Sequence, residues 1–174
     1  MSHVEEFLTA EEESDIVEAI VEAEKNTSGE IRVHIEASAK IDHFSRAQQI
    51  FHFLKMDNTK EGNGVLIYVA VDDRKFVIYG GQGIDRVVPK GFWDTTKDVI
   101  ASHFKKGNFK QGITEGILMA GNELEAHFPW DHDDTNELND AISKGEFFTG
   151  FFMGFPSMGT VYHTRKTAKT DQCL

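Results

Sequence analysis

Val65-Leu66-Ile67-Tyr68-Val69-Ala70-Val71-Asp72-Asp73-Arg74-Lys75-Phe76-Val77-Ile78-Tyr79-Gly80-Gly81-Gln82-Gly83 is the stretch that decides the fold. The run from Val65 to Val71 is apolar on both sides and rich in β-branched residues. A strand of that kind is covered on both faces, so helices should flank the sheet on each side. Asp72-Asp73-Arg74-Lys75 is too short for anything but an antiparallel hairpin into a second strand over 76–79. Upstream, Ile31, Val33, Ile35 and Ala37 alternate with Glu30, Arg32, His34 and Glu36. That alternation predicts a half-exposed strand near a sheet edge. Phe44, Ala47, Phe51 and Leu54 recur at helical spacing and predict a helix over about 43–56. Strand, helix and strand make a βαβ unit, so the strands at 30–37 and 65–71 should run parallel.

Outward from this unit the pattern is helical. Thr9-Ala10-Glu11-Glu12 reads as a capping box that opens an amphipathic helix over 10–25. Gly80-Gly81-Gln82-Gly83 reads as a loop, followed by helices over about 91–105 and 110–127. Gly112, Gly116 and Gly121 in the latter let it lie close to a neighbour. Asp131 to Gly145 reads as an acidic loop plus a short helix with Leu138 and Ile142. The composition then changes. Residues 146–174 hold Phe147, Phe148, Phe151, Phe152 and Phe155 and end in a slightly basic tail. The expected division is a compact domain over 1–145 and a Phe/Gly-rich segment of unassigned role over 146–174. No internal repeat is present.

Composition narrows the function. The chain of 174 residues carries 18 Lys and Arg against 29 Asp and Glu, a formal net charge of −11. Such a surface is a poor match for a nucleic-acid backbone or an anionic membrane, and a better one for divalent cations or cationic partners. Cys173 is the single cysteine and stands next to the C-terminus, so neither an internal disulfide framework nor a Cys-rich zinc site is expected. No apolar run reaches the length of a membrane span, and no signal peptide is visible, so a cytoplasmic location is expected.

Two acidic groupings stand out as chemistry. Asp72-Asp73 follows the central strand, and ligand groups in α/β layers gather at the carboxyl ends of parallel strands. Adjacent carboxylates on a tight turn can ligate Ca2+ or Mg2+; equally, they can cap backbone amides. The hairpin returns the end of strand 76–79 to the level where strand 30–37 begins, so Glu30, Asp85 and Asp94 are expected to converge there, far from Asp72. The glycines of the Gly80–Gly83 loop would allow close backbone approach to a cation, but the loop is no nucleotide fingerprint, since no Walker lysine follows. Asp131-His132-Asp133-Asp134-Thr135 spells D-x-D-x-T without the apolar strand that an aspartate-nucleophile phosphatase needs before it. It fails as an EF-hand too, with Asn136 and Ile142 where the loop needs glycine and glutamate. Asp131, Asp133, Asp134 and Glu137 remain as carboxylates that a cation between loops can recruit. The eight histidines show no HExxH or other metal spacing and read as structural or surface groups, and no Gly-x-Ser-x-Gly elbow is present.

Thr27-Ser28-Gly29-Glu30-Ile31-Arg32-Val33, Asn63-Gly64 with the strand through Lys75, Tyr79-Gly80-Gly81-Gln82-Gly83-Ile84, and Phe104-Lys105-Lys106-Gly107-Asn108-Phe109-Lys110-Gln111-Gly112-Ile113 together resemble the TPM domain. Their order and spacing match over about residues 7–143, as in a bacterial stand-alone member. The resemblance implies an α/β fold, a three-layer αβα sandwich on a small mixed sheet of about four strands. It implies divalent-cation binding, and for plant members a weak acid phosphatase activity, with Asp72, Asp73 and Arg74 and the acid Asp85 as the positions that carry over. Most members are exported or membrane-tethered, which this sequence does not show.

The expectation is therefore a Ca2+- or Mg2+-binding domain whose acidic loops are ordered by the ion. Candidate ligands are Asp72, Asp73, Asp85, Glu30, Asp131 and Asp134. The alternatives are a weak metal-assisted phosphomonoesterase, with no catalytic residue assigned, and a protein-interaction module that uses the 147–155 aromatics.

Overall fold

The computed structural model describes residues 3–131 and 140–145, and the backbone of 172–173. Asp133, Asp134, Glu137, Leu138 and the 147–155 aromatics fall outside the described residues. The apolar run forms strand β2 (Gly64–Ala70), which pairs parallel with β1 (Glu30–Glu36) and antiparallel with β3 (Lys75–Gly80). Both pairings are those expected. Short strands β4 (Ser143–Gly145) and β5 (Gln172–Cys173) extend the sheet to the order β4-β1-β2-β3-β5.

Helices cover both faces. On one side lie α2 (Ala10–Glu24), α5 (Phe92–Phe104) and α6 (Phe109–His127), over Ile31, Val33, Ile35, Val65, Ile67, Val69, Phe76 and Ile78. On the other lies α3 (His43–Phe53), whose Phe44, Ala47, Ile50 and Phe51 meet Leu66, Tyr68, Val77 and Tyr79. β2 thus feeds alternate side chains into two separate cores, as an all-apolar strand must. The predicted capping box is formed: the Glu12 amide donates to Thr9 Oγ1 at 3.1 Å and the Thr9 amide to Glu12 Oε2 at 2.9 Å. The glycines of α6 act by close approach. A Cβ at Gly121 would lie 2.7 Å from Ala23 Cβ, and one at Gly116 would lie 2.6 Å from Ile100 Cδ1.

The structure differs from the local expectations at several places. α3 ends at Phe53, and a 3-10 turn (Met56–Asn58) follows it. The glycine-rich segment contains a helical turn, α4 (Gln82–Val87), and a short helix α1 (His3–Phe7) precedes α2. Ile142 leads into β4 instead of lying in a helix. Finally, β1 is neither half-exposed nor at an edge: every residue in it is buried, and β4 runs along its outer side.

Two residues on the buried polar face of β1, His34 and Glu36, are held by hydrogen bonds. Arg46 Nε and Nη2 each donate to a different oxygen of Glu36 at 2.7 Å, and the Tyr68 hydroxyl donates to Glu36 Oε1 at 2.6 Å. The His34 ring lies parallel to that of Tyr68 and meets the Ser143 hydroxyl at 2.8 Å through Nδ1. Burial alone would raise the Glu36 carboxyl, but the hydrogen bonds from Arg46 and Tyr68, with the Arg46 charge and the nearby His34 ring, outweigh it and hold its pKa down at about 2. Burial and the Glu36 charge push the Tyr68 phenol well above its ordinary value. Removing one partner of a buried ion pair strands the other charge, at about 3–5 kcal/mol.

Two outcomes follow for stability. Arg46→Met should lose about 3 kcal/mol or more in urea denaturation at pH 7, and a loss under about 1 kcal/mol would contradict the network. Glu36 titrates lower in the fold than in the unfolded chain. Its contribution is therefore complete above the unfolded value of about 4.5 and is lost as pH falls toward about 2, which acid titration of the Arg46→Met protein should show removed.

Candidate functional site

β1 and β2 end side by side, so the segments that leave them meet. The Val71 amide donates to Glu36 O at 2.9 Å and the Asp72 amide to Ala37 O at 2.8 Å. This join carries the β2–β3 turn, with Arg74 at φ 52°, against the residues that lead into α3. Asp73 faces that segment. Its Oδ1 accepts from the Ser38 hydroxyl at 2.7 Å; its Oδ2 accepts from the Ala39 amide at 2.8 Å and from His43 Nε2 at 2.9 Å. Burial works to raise the Asp73 carboxyl, and the Ser38, Ala39 and His43 donors together bring it below the usual carboxylate range. The group is ionised and fixed in orientation.

Asp72 points the other way. Its Oδ1 lies 2.7 Å from His3 Nδ1 of α1, and the hydrogen bond and charge of Asp72 pull the imidazole pKa up. A groove of about 780 Å³ opens beside it. Its polar wall holds Glu6, Asp72, Arg74 and Lys105, and its apolar wall holds Phe7, Phe104 and Phe109. The groove therefore combines fixed negative charge on the turn, two cations and a cluster of aromatic rings in tilted and edge contact. Phe7 and Phe109 have their centroids 4.5 Å apart.

The other candidate ligands lie elsewhere. Glu30 starts β1 opposite Gly64, and Gly80 pairs with Val65, so the two strand ends do reach one level of the sheet. The side chains there part company. Asp85 accepts from Trp93 Nε1 at 3.1 Å, and Asp94 lies 3.7 Å from Lys97. Glu30 belongs instead to a group with Glu24, Asp140 and Arg32. Glu24 accepts from the Ile31 amide. Burial, with the charges of Glu30 and Asp140, pushes its pKa up to about 9 against that hydrogen bond. Burial also lowers the Arg32 guanidinium, against the pull of the same acids. A buried arginine and a protonated glutamate already balance this grouping. Asp131 is exposed beyond α6. Among the described residues, no three His, Cys, Asp or Glu side chains form a group that could hold a metal ion.

The family model described as the TPM domain matches residues 2–123. The chain belongs to the TPM domain family. The BA42 protein of the psychrophilic bacterium Bizionia argentinensis, solved by NMR, is 63% identical, with a TM-score of 0.76 over 83% of this chain and 100% of that one. Two more distant NMR structures share the fold. The N-terminal domain of a P. gingivalis protein is 22% identical, with a TM-score of 0.60 over 72% of this chain and 83% of that one. The N-terminal domain of the cg2496 protein of Corynebacterium glutamicum is 14% identical, with a TM-score of 0.55 over 74% and 84%. No curated protein matches. Among the described residues of this TPM domain, no helix is long and apolar enough to cross a membrane.

Reading along the chain missed the residues that hold the two aspartates. Ser38, Ala39 and His43 come from the segment that runs from β1 into α3, and His3 from α1, far away in sequence. A signal for the first three was available: segments that leave adjacent parallel strands meet at the carboxyl edge. None existed for Glu24, whose partners are set by packing. Its pKa is higher folded than unfolded, so the fold loses stability as pH rises from about 4.5 toward about 9. In a TPM domain carrying Glu24→Gln, thermal melts between pH 6 and 9 should lie above wild type by a margin that grows with pH. Parallel profiles would rule out this protonated glutamate.

Proposed function

We propose that this TPM domain binds a divalent cation at the Asp72-Asp73 turn. The observation that carries the reading is Asp73: an ionised carboxylate, oriented by three donors at the carboxyl end of the central parallel strand, beside a second carboxylate that faces an open groove. The fit is to a largely hydrated ion. Two carboxylates from one turn do not make the cage of six to eight oxygens that tight Ca2+ sites use, but Mg2+ keeps several waters and is held by one or two carboxylates. Weak Ca2+ binding of the same hydrated kind suits the turn equally. When bound, the ion supplies positive charge that neutralises the turn. The protein's own part is to hold Asp73 rigid through Ser38, Ala39 and His43, so that little ordering remains to be done on binding. The Glu24, Glu30 and Asp140 grouping is a weaker candidate because Arg32 already sits among these acids.

Chelator-treated protein titrated with Mg2+ or Ca2+ should show saturating amide shifts at Ser38, Ala39 and residues 72–74, with affinity of about millimolar. Asp73→Asn should weaken binding about tenfold or more while the rest of the spectrum is kept. No saturating shift at this turn with either ion would overturn the reading.

The second reading, a metal-assisted phosphomonoesterase, is favoured by one feature: Arg74 and Lys105 face the same groove as Asp72, beside three phenylalanines. Two cations suit a phosphate, and the aromatic wall suits an aryl leaving group. Turnover of p-nitrophenyl phosphate should then require added cation and fall at least tenfold in both Asp72→Asn and Lys105→Ala. Turnover that survives both substitutions would place the activity in a contaminant.

A further inference from the structure

The two carboxylates of the β2–β3 turn differ in how readily they can change partner. Asp73 is held on both oxygens, by Ser38, Ala39 and His43, and its side chain is 26% exposed. Asp72 is 44% exposed, lines the groove and has an imidazole against it: His3 Nδ1 lies 2.7 Å from Asp72 Oδ1. The His3 side chain is itself 72% exposed, so this contact adds little to the stability of the fold and can open without disturbing it.

His3 is delivered to Asp72 by α1, and that helix is fastened by apolar contacts. Val4 and the following Leu8 are buried in the larger core, and Phe7 packs on Phe109. A tether of this kind keeps the imidazole close to its carboxylate at high effective concentration, so the contact re-forms within the chain each time it opens. Glu6, on the same helix and in the same groove, places a further negative charge near the ring. A neutral imidazole with its proton on Nδ1 donates this hydrogen bond just as an imidazolium does, so the contact does not depend on the charge of the ring.

We propose that His3 is a tethered competitor of the cation: imidazole and ion take Asp72 in turn, so that α1 sets the affinity of the site and senses its occupancy. This inference rests on the cation reading of the Asp72-Asp73 turn. A hydrated cation brings waters with it and needs the space beside Asp72 Oδ1 that the imidazole fills. Asp73 keeps its three donors in either case, because they come from the segment between β1 and α3 and not from α1. Linkage makes the effect reciprocal: what His3 removes from the affinity of the ion, the ion removes from the His3 contact. Exposed pairs are weak, so the competition is worth about two- to fivefold in affinity and tunes the site without blocking it.

The probe is Mg2+ alone, titrated at one fixed pH into chelator-treated, full-length ¹⁵N-labelled protein, with the amide shifts of Ser38 and Ala39 as the measure of affinity. His3→Ala should bind about two- to fivefold more tightly than wild type. Phe7→Ala, which keeps the imidazole but loosens the helix that delivers it, should also bind more tightly. In the wild type the His3 ring resonances should move, as the ion saturates, toward their positions in ion-free Asp72→Asn. Wild-type affinity in His3→Ala or in Phe7→Ala would overturn the proposal and leave the cation reading standing. Weaker binding in His3→Ala would do the same, since it would make the imidazole a ligand, and so would ring resonances that stay fixed while the amide shifts saturate. No saturating shift in wild type or in His3→Ala would overturn both readings together.

Discussion

The buried pair between Glu36 and Arg46 is the interaction on which the rest of this structure depends. It is a buried polar link between α3 and β1, beside a core whose apolar contacts are non-directional. Two parallel hydrogen bonds from a planar guanidinium fix orientation as well as distance. α3 is thereby set in register against β1 and β2. Its first residue, His43, reaches Asp73, and its last turn carries His52. Nine residues of helix separate these histidines by about 14 Å. One strut therefore delivers a side chain to each end of the sheet, and a tilt at Arg46 would displace both.

The two acidic regions show why net charge is a poor guide to where a cation binds. Asp72 and Asp73 share a turn but not an environment: one is half exposed against His3, the other is clasped by three donors. Glu24, Glu30 and Asp140 are more crowded and more buried, which suggests a stronger site at first sight. Burial makes the opposite case. Charge in a desolvated position is relieved either by a counter-ion or by a proton, and here Arg32 and the protonated Glu24 already supply both. The aspartates of the turn meet only His3 and His43 and a few neutral donors, so they keep their charge at the surface.

The central hairpin and the parallel βαβ unit were legible because they rest on local constraints: a connection too short to cross over, a run apolar on both faces, and helical periodicity. Strand β1 was misjudged for an equally physical reason. Alternation of Ile31, Val33 and Ile35 with Arg32, His34 and Glu36 reports which residues avoid the apolar core; it does not report whether the polar ones meet water. Arg46 and Tyr68, which satisfy Glu36, lie ten and 32 positions away. The α4 turn was hidden by glycines that discourage helix, yet are required by the close approach of Gly83 to Glu61. Asp72 and Asp73 were legible as candidates, whereas the donors that distinguish them arrive only when β1 and β2 are aligned.

That alignment also explains why the two ends of so small a sheet differ in chemistry. Where β1 and β2 end, their outgoing segments can converge, and polar side chains on them gather around a carboxylate. Where they begin, β3 ends, and the chain must turn back under tight steric limits, so glycines replace side chains and backbone packs on backbone. Such an end offers few side-chain ligands. The side chains nearest that end come from the neighbouring helix, where His52 stands at the close of α3. The chemistry at the two ends is thus divided by topology: charge at the carboxyl edge, backbone packed on backbone at the amino edge.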